Sequence, residues 1–157
     1  MNLKITLLVM LFITNIFASN FNATKLTKDE IKTLKEIKKQ GKKYGLSYSL
    51  MAIAIKESSI GKYLVNVDSK DYGLYQANIK TVLSRQKAKN TSWNRNKYAM
   101  RLISDFQFAT KNAIAELTYW KKVWSSYNGG WKYNSKRARK YSREIAIIIK
   151  RLKRVNV

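Results

Sequence analysis

Ser47-Tyr48-Ser49-Leu50-Met51-Ala52-Ile53-Ala54-Ile55-Lys56-Glu57-Ser58 is the stretch from which the rest of the chain can be read. Leu50, Ile53 and Ala54 recur at the spacing of one helix face. Glu57 falls seven after Leu50, four after Ile53 and three after Ala54. A carboxylate is therefore placed on an apolar stripe, at the C-terminal end of a helix running from about Ser47 to Ser58. Partial burial there disfavours the ionised form, and the negative end of the helix dipole pushes the same way. A carboxylic acid kept protonated near neutral pH can give its proton to a leaving oxygen. The competing reading is a boundary residue whose carboxylate reaches solvent past the helix end.

The flanking sequence supplies a helical frame. Upstream, Thr27-Lys28-Asp29-Glu30 is a capping box, followed by Ile31, Leu34, Ile37 and Tyr44 at helical spacing, with Gly41 and Gly45 ending the helix. Downstream, Gly61 to Gln76 loses the helical period and gathers Asn, Asp, Ser and Gly, which predicts a loop with a short β-turn segment. Phe106, Ala109, Ala113, Leu117, Trp120 and Trp124 then step by three and four, the stripe of one long helix starting near Ser104 or Asp105. Tyr127-Asn128-Gly129-Gly130 breaks it, since Asn and Gly tolerate positive φ. A last helix starts at about Ser135 and buries Tyr141, Ile145, Ile148, Ile149 and Leu152. The expected fold is a compact, mostly α domain with one irregular or short β segment in the middle.

Composition prunes the chemistry. The chain has 157 residues, enough for one domain with a real core. It carries 32 Lys and Arg against 9 Asp and Glu, a net charge of +23, and 45% apolar residues, so it is a folding sequence attracted to anionic polymers or surfaces. The lysines are spread over every helix and no nucleic-acid motif appears, so nucleic acid is not an expected partner. With no Cys and no His, zinc sites, disulfide frameworks and Ser–His or Cys–His dyads are excluded. Phosphate-loop and dinucleotide fingerprints are missing too. No metal and no cofactor is expected.

Residues 1-18 read as a secretory signal peptide. Lys4 is its positive start, Ile5 to Phe17 an apolar run too short for a membrane span of ~20 residues, and Ala18 the end of a cleavage site, with Ala23 as the alternative. An uncleaved anchor is the competing reading. Residues 19-157 then form a single exported domain, in the periplasm or cell envelope, with no stable membrane span after cleavage.

Nine carboxylates can be sorted one by one. Asp29, Glu30 and Glu36 belong to the first helix, where capping and surface pairing account for them. Asp105 is a helix-start residue. Glu144 lies four after Lys140, an ordinary solvated pair. Glu116 has no basic residue three or four away and flanks the apolar stripe, which suggests an edge-of-core role. Glu57, Asp68 and Asp71 remain as candidates for chemistry.

Taken in order, Glu57-Ser58, Gly73-Leu74-Tyr75-Gln76 with Asn78, Tyr127-Asn128-Gly129-Gly130 and Tyr141 form a pattern. It resembles the lytic transglycosylases of the soluble-lytic-transglycosylase (SLT) type, within the lysozyme-like superfamily. Those carry Glu-Ser at a helix end, Gly-Leu-Met-Gln, Ala-Tyr-Asn-Ala-Gly, and a tyrosine in the last helix. The likeness covers about residues 45-151. Tyr75 stands where methionine is usual, Ser126 and Gly129 replace the two alanines, and Ala77 replaces a β-branched residue. The resemblance implies a lysozyme-like helical domain that cuts peptidoglycan glycan strands at the MurNAc-β-1,4-GlcNAc bond and leaves 1,6-anhydro-MurNAc ends. It gives Glu57 the role of catalytic acid and then base. Ser58 fixes the helix end, Gln76 and the Gly73-Leu74 backbone line the cleft with Tyr75 also among the substrate-binding residues, and Asn78 braces it. Tyr127 and Tyr141 contact the substrate or the Glu57 carboxyl, and Asn128 holds its loop. Asp71, in Asp71-Tyr72-Gly73, also resembles the second carboxylate of animal lysozymes. A hydrolytic muramidase using Glu57 and Asp71 is therefore the alternative reading, and a non-enzymatic basic wall-binding module the third. The expected partners are glycan strands, with a secretion or conjugation apparatus as a further candidate, and the expected state is a monomer.

Overall fold

The computed structural model describes residues 21–120 and 123–155; the expected signal segment, 1-18, lies outside the described residues. The described residues form a mostly α domain with one small antiparallel sheet. Helices α1 (Lys28–Gly41) and α2 (Ser47–Ser58) come first. Strands β1 (Val65–Asn66), β2 (Asp71–Tyr72) and β3 (Ala77–Asn78) follow. Helices α3 (Ile79–Arg85), α4 (Ser92–Ser104), α5 (Phe106–Tyr119), α6 (Val123–Gly129) and α7 (Lys136–Leu152) complete the fold.

Local chemistry explains the boundaries. The Glu30 amide donates to Thr27 Oγ1 at 3.2 Å and the Thr27 amide to Glu30 Oε2 at 2.8 Å, so α1 opens on the expected capping box. α2 spans the expected residues but is buried more completely than a single stripe: every residue from Leu50 to Ile55 is in the core. The reason is its position, packed against both α1 and α7. Leu50, Met51, Ile53 and Ile55 each contribute roughly 1.5–3 kcal/mol of burial. α7 is the other pole of this core. Ser135 Oγ accepts the Ala138 amide at 3.1 Å to start it, and Tyr141, Ile145, Ile148 and Leu152 are buried along one face.

Two expectations about the second half are corrected. The long stripe from Phe106 to Trp124 is not one helix. α5 starts at its Asp105 cap, whose Oδ1 accepts the Phe108 amide at 2.9 Å, and stops at Trp120, which is extended with φ −101 and ψ 133. α6 then restarts at Val123. The period ran through the break because both helices bury side chains against the same core, Trp124 donating its indole N–H to Ser49 Oγ of α2 at 2.9 Å. Tyr127-Asn128-Gly129-Gly130 ends the second of these helices, not one long helix. Tyr127 to Gly129 are the last turn of α6, and Gly130, at φ +51, turns the chain into the 3-10 segment Gly130–Lys132.

The middle of the chain builds a second, smaller core from Ile79, Val82, Leu83, Leu102 and Phe108. The expected irregular segment is a three-stranded sheet in the order β1-β2-β3, with Val65 opposite Tyr72, Asp71 opposite Asn78 and Tyr72 opposite Ala77. Gly73 ties this sheet to α4. It adopts φ +79, and a Cβ there would lie 2.1 Å from the Leu102 carbonyl oxygen, so no other residue fits. No helix among the described residues is long and apolar enough to cross a membrane.

Candidate active site

A cleft runs between the sheet with α3 on one side and α2, α5, α6 and α7 on the other. It consists of two adjoining hollows, of about 260 and 430 Å³, and Glu57, Asp71, Gln76, Asn128 and Arg137 line both. Glu57 thus stands at their junction, in the last turn of α2. Its Oε1 accepts the Tyr141 hydroxyl proton at 2.6 Å. Burial raises the Glu57 carboxyl from 4.5 to about 7; the Tyr141 hydrogen bond and the Lys56 charge oppose this, and the nearby Asp71 charge adds to it. Glu57 is partly buried and opens onto the two hollows it lines. Burial, with the Glu57 charge second, holds both the Tyr127 and Tyr141 phenols well above the ordinary tyrosine range, so both remain protonated donors at neutral pH.

The helix end that carries Glu57 is clamped from below. Ser58 Oγ, fully buried, donates to the Leu74 carbonyl at 2.7 Å and accepts the Gly61 amide at 2.9 Å. Tyr127 donates to the Tyr75 carbonyl at 2.9 Å. The Gly73-Leu74-Tyr75 segment therefore serves through its backbone, beneath the cleft. Tyr75 as a cleft-lining side chain is a correction: it is 1% exposed, packed in the main core with its hydroxyl 3.2 Å from Thr110 Oγ1. Leu74 is buried in the same core, and neither Ser58 nor Gly73 lines a hollow. Gln76, next along and at φ +47, turns the other way into the cleft. Its Nε2 donates to the carbonyls of Tyr63 and Gly73, both at 3.0 Å.

Across the cleft from Glu57, the β2–β3 pairing sets Asp71 beside Asn78, whose Nδ2 donates to Asp71 Oδ1 at 2.8 Å and to the Ser69 carbonyl at 3.0 Å. The Asn78 Oδ1 accepts the Lys80 amide at 3.1 Å and so starts α3. Asn78 braces the second carboxylate and opens the next helix at once. Asp68 is exposed and lines neither hollow. Asn128 Oδ1 is buried and accepts no hydrogen bond among the described residues.

Several cleft groups were not legible in the sequence. Glu116 is no edge-of-core residue: it lines the smaller hollow, paired with the Arg85 guanidinium and accepting the Trp120 indole N–H on Oε1 at 2.8 Å. Arg85 also donates to Asn112 Oδ1 at 3.1 Å. The lack of a local basic neighbour was the one signal, because its partner lies on another helix. Glu144 does not pair with Lys140 but with Lys56 across the α2–α7 contact, at 2.8 Å. Arg137 lines both hollows and was hidden among the other basic residues of α7.

The family model described as the transglycosylase SLT domain matches residues 35–149. Comparison with curated proteins and with solved structures gives no match. The matched span begins in α1 and ends near the close of α7, taking in the acid, the clamp under it and the tyrosine above it. With so much of the chain covered, and the protonatable carboxyl at the junction of its cleft, the protein belongs to the transglycosylase SLT domain family of the lysozyme-like superfamily.

Proposed function

We propose that this protein is a peptidoglycan lytic transglycosylase that cleaves the MurNAc-β-1,4-GlcNAc bond and leaves 1,6-anhydro-MurNAc ends. The observation that carries the reading is Glu57: a carboxyl held near pKa 7 by burial, hydrogen-bonded to Tyr141, at the meeting point of two hollows. Glu57 gives its proton to the glycosidic oxygen as the bond to the MurNAc C1 breaks. The MurNAc N-acetyl group supports the cationic carbon. The Glu57 carboxylate then takes the proton of the C6 hydroxyl, whose oxygen bonds to C1, and the acid is restored with no water consumed. Tyr141 steadies the carboxylate between the two proton transfers. The unfilled Asn128 acceptor suits an acetamido N–H of the sugar, and Arg137 suits the carboxylates of peptide-bearing strands.

Asp71 favours a second reading. It lines both hollows with Glu57, so the cleft holds the pair of carboxylates that a two-carboxylate hydrolase uses. Mass spectrometry of digested sacculi separates the two. The lyase reading expects anhydro ends as the main product, retained in Asp71→Asn and lost in Glu57→Gln with ~100-fold or greater loss of rate. Predominantly reducing MurNAc ends, abolished in Asp71→Asn, overturn it in favour of a lysozyme. We further propose that residues 1-18 direct export and are removed, so that the enzyme works in the periplasm or cell envelope. Envelope protein starting at or near Ser19 by intact mass is the expected result.

A further inference from the structure

We propose that the cleft continues, beyond Glu116, onto an aromatic platform of Tyr119, Trp120 and Trp131 that holds a distal stretch of the glycan strand. The inference rests on the glycan-cleaving reading of the cleft and extends it to a site away from the acid.

Trp131 is 80% exposed and Tyr119 71% exposed. Large aromatic surface left in water is costly unless something covers it, and contiguous patches of this kind mark binding sites. The patch is contiguous here. The Tyr119 and Trp120 rings are 5.0 Å apart at 87°, and the Trp120 and Trp131 rings 4.9 Å apart at 84°. Trp120 is the middle member, edge-on to both neighbours, and it is the one that is partly buried.

The platform is attached to the cleft. The Trp120 indole N–H is bonded to Glu116, which is in turn held by Arg85, which is bonded to Asn112. Glu116, Arg85 and Asn112 all line the smaller hollow, as Glu57 does. Trp131 comes from a second part of the chain, just after α6, whose Tyr127 and Asn128 line that hollow too. Two separate parts of the chain thus leave the same cleft wall and meet again at the rings. The orientation of Trp120 is fixed in advance by cleft residues, so little ordering cost remains to be met on binding.

The occupant follows from this chemistry. A pyranose ring presents a face of C–H bonds that packs on aromatic rings, while its hydroxyls and acetamido group stay available to solvent. A glycan strand is a polymer that must leave the cleft somewhere, and the platform is joined to the lining of the smaller hollow through the Trp120–Glu116 bond. The rings themselves carry no formal charge, which suits the neutral sugar backbone.

The test uses Glu57→Gln protein, which binds without turnover, and two neutral soluble probes, chitotriose and chitohexaose, with affinities measured by calorimetry. Hexaose is expected to bind more tightly than triose. Trp131→Ala in this background is expected to weaken hexaose by roughly tenfold, from about 1.4 kcal/mol of lost stacking, and to leave triose unchanged. Tyr119→Ala should give a smaller loss of the same kind, and Trp131→Phe, which keeps a flat face, should restore most of the affinity. If Glu57→Gln binds both sugars and Trp131→Ala changes neither, the platform inference is overturned while the cleft reading stands. Binding of neither sugar overturns the cleft reading and the platform with it.

Discussion

Glu57→Gln should make the protein more stable, and by an amount that depends on pH. In the folded state the carboxyl is raised from 4.5 to about 7, chiefly because burial penalises its charge. Below pH 4.5 the group is protonated whether the chain is folded or not, and it leaves stability unchanged. Between 4.5 and 7 the folded state holds a proton that the unfolded state has released, so stability falls as pH rises. Above 7 the whole penalty is present. At about 1.4 kcal/mol per pH unit, this amounts to a ceiling of about 3 kcal/mol. The open cleft beside the carboxyl lowers the figure somewhat. Glutamine has nearly the same shape, can still accept the Tyr141 hydrogen bond, and carries no charge at any pH. Urea unfolding followed by circular dichroism, at about pH 4.5, 6 and 8.5, is the assay. The two proteins should have similar stability at the lowest pH, and the variant should lead by about 2–3 kcal/mol at the highest. A constant difference across the series, or a less stable variant at high pH, would refute the claim that this carboxyl is buried at the expense of stability.

Three further outcomes are expected. Tyr141→Phe removes a hydrogen bond that holds the Glu57 carboxyl down, so the alkaline limb of the activity profile should move to higher pH, as a pH–rate series on sacculi would show. Gly73→Ala forces a Cβ to 2.1 Å from the Leu102 carbonyl at a φ of +79; thermal melting should report a loss of ~3 kcal/mol or more, or failure to fold. Glu116→Gln leaves Arg85 without its ion pair, and a stability loss of roughly 1–3 kcal/mol by urea titration is expected.

The sequence carried the poles of the fold well and the middle poorly. α1, α2 and α7 were legible because each joins a strong cap or period to a one-sided core. Glu57 was legible for the same reason, as a charge on an apolar stripe. The break at Trp120 was not, because α5 and α6 bury into one core and keep a common step without Gly or Pro between them. α3 and α4 were not delimited, since their apolar residues form a small core of their own whose members are far apart in sequence. The site shows the same division. The family motifs pointed to Ser58, Asn78, Tyr127 and Tyr141, which the structure places in or beneath the cleft, whereas Arg85, Asn112 and Glu116 belong to one network that only the packing of α3 on the α5 side of the cleft brings together. Tyr75 was misplaced because alternation along a turn decides which side chain faces the core, and a one-residue difference reverses the answer.

The bond between Tyr141 and Glu57 joins residues 84 positions apart, from the second helix to the last. The same last helix supplies Ile145, Ile148 and Leu152 to the core that dehydrates the acid. A growing or unfolded chain therefore carries Glu57 as an ordinary ionised carboxylate, unable to donate a proton at neutral pH. The raised carboxyl exists only where α7 is packed against α2, with Tyr141 and the apolar face of that helix in place. A chain that lacks the last helix would keep every residue of the cleft except Arg137, Lys140, Tyr141 and Glu144, yet would leave Glu57 an ordinary surface carboxylate.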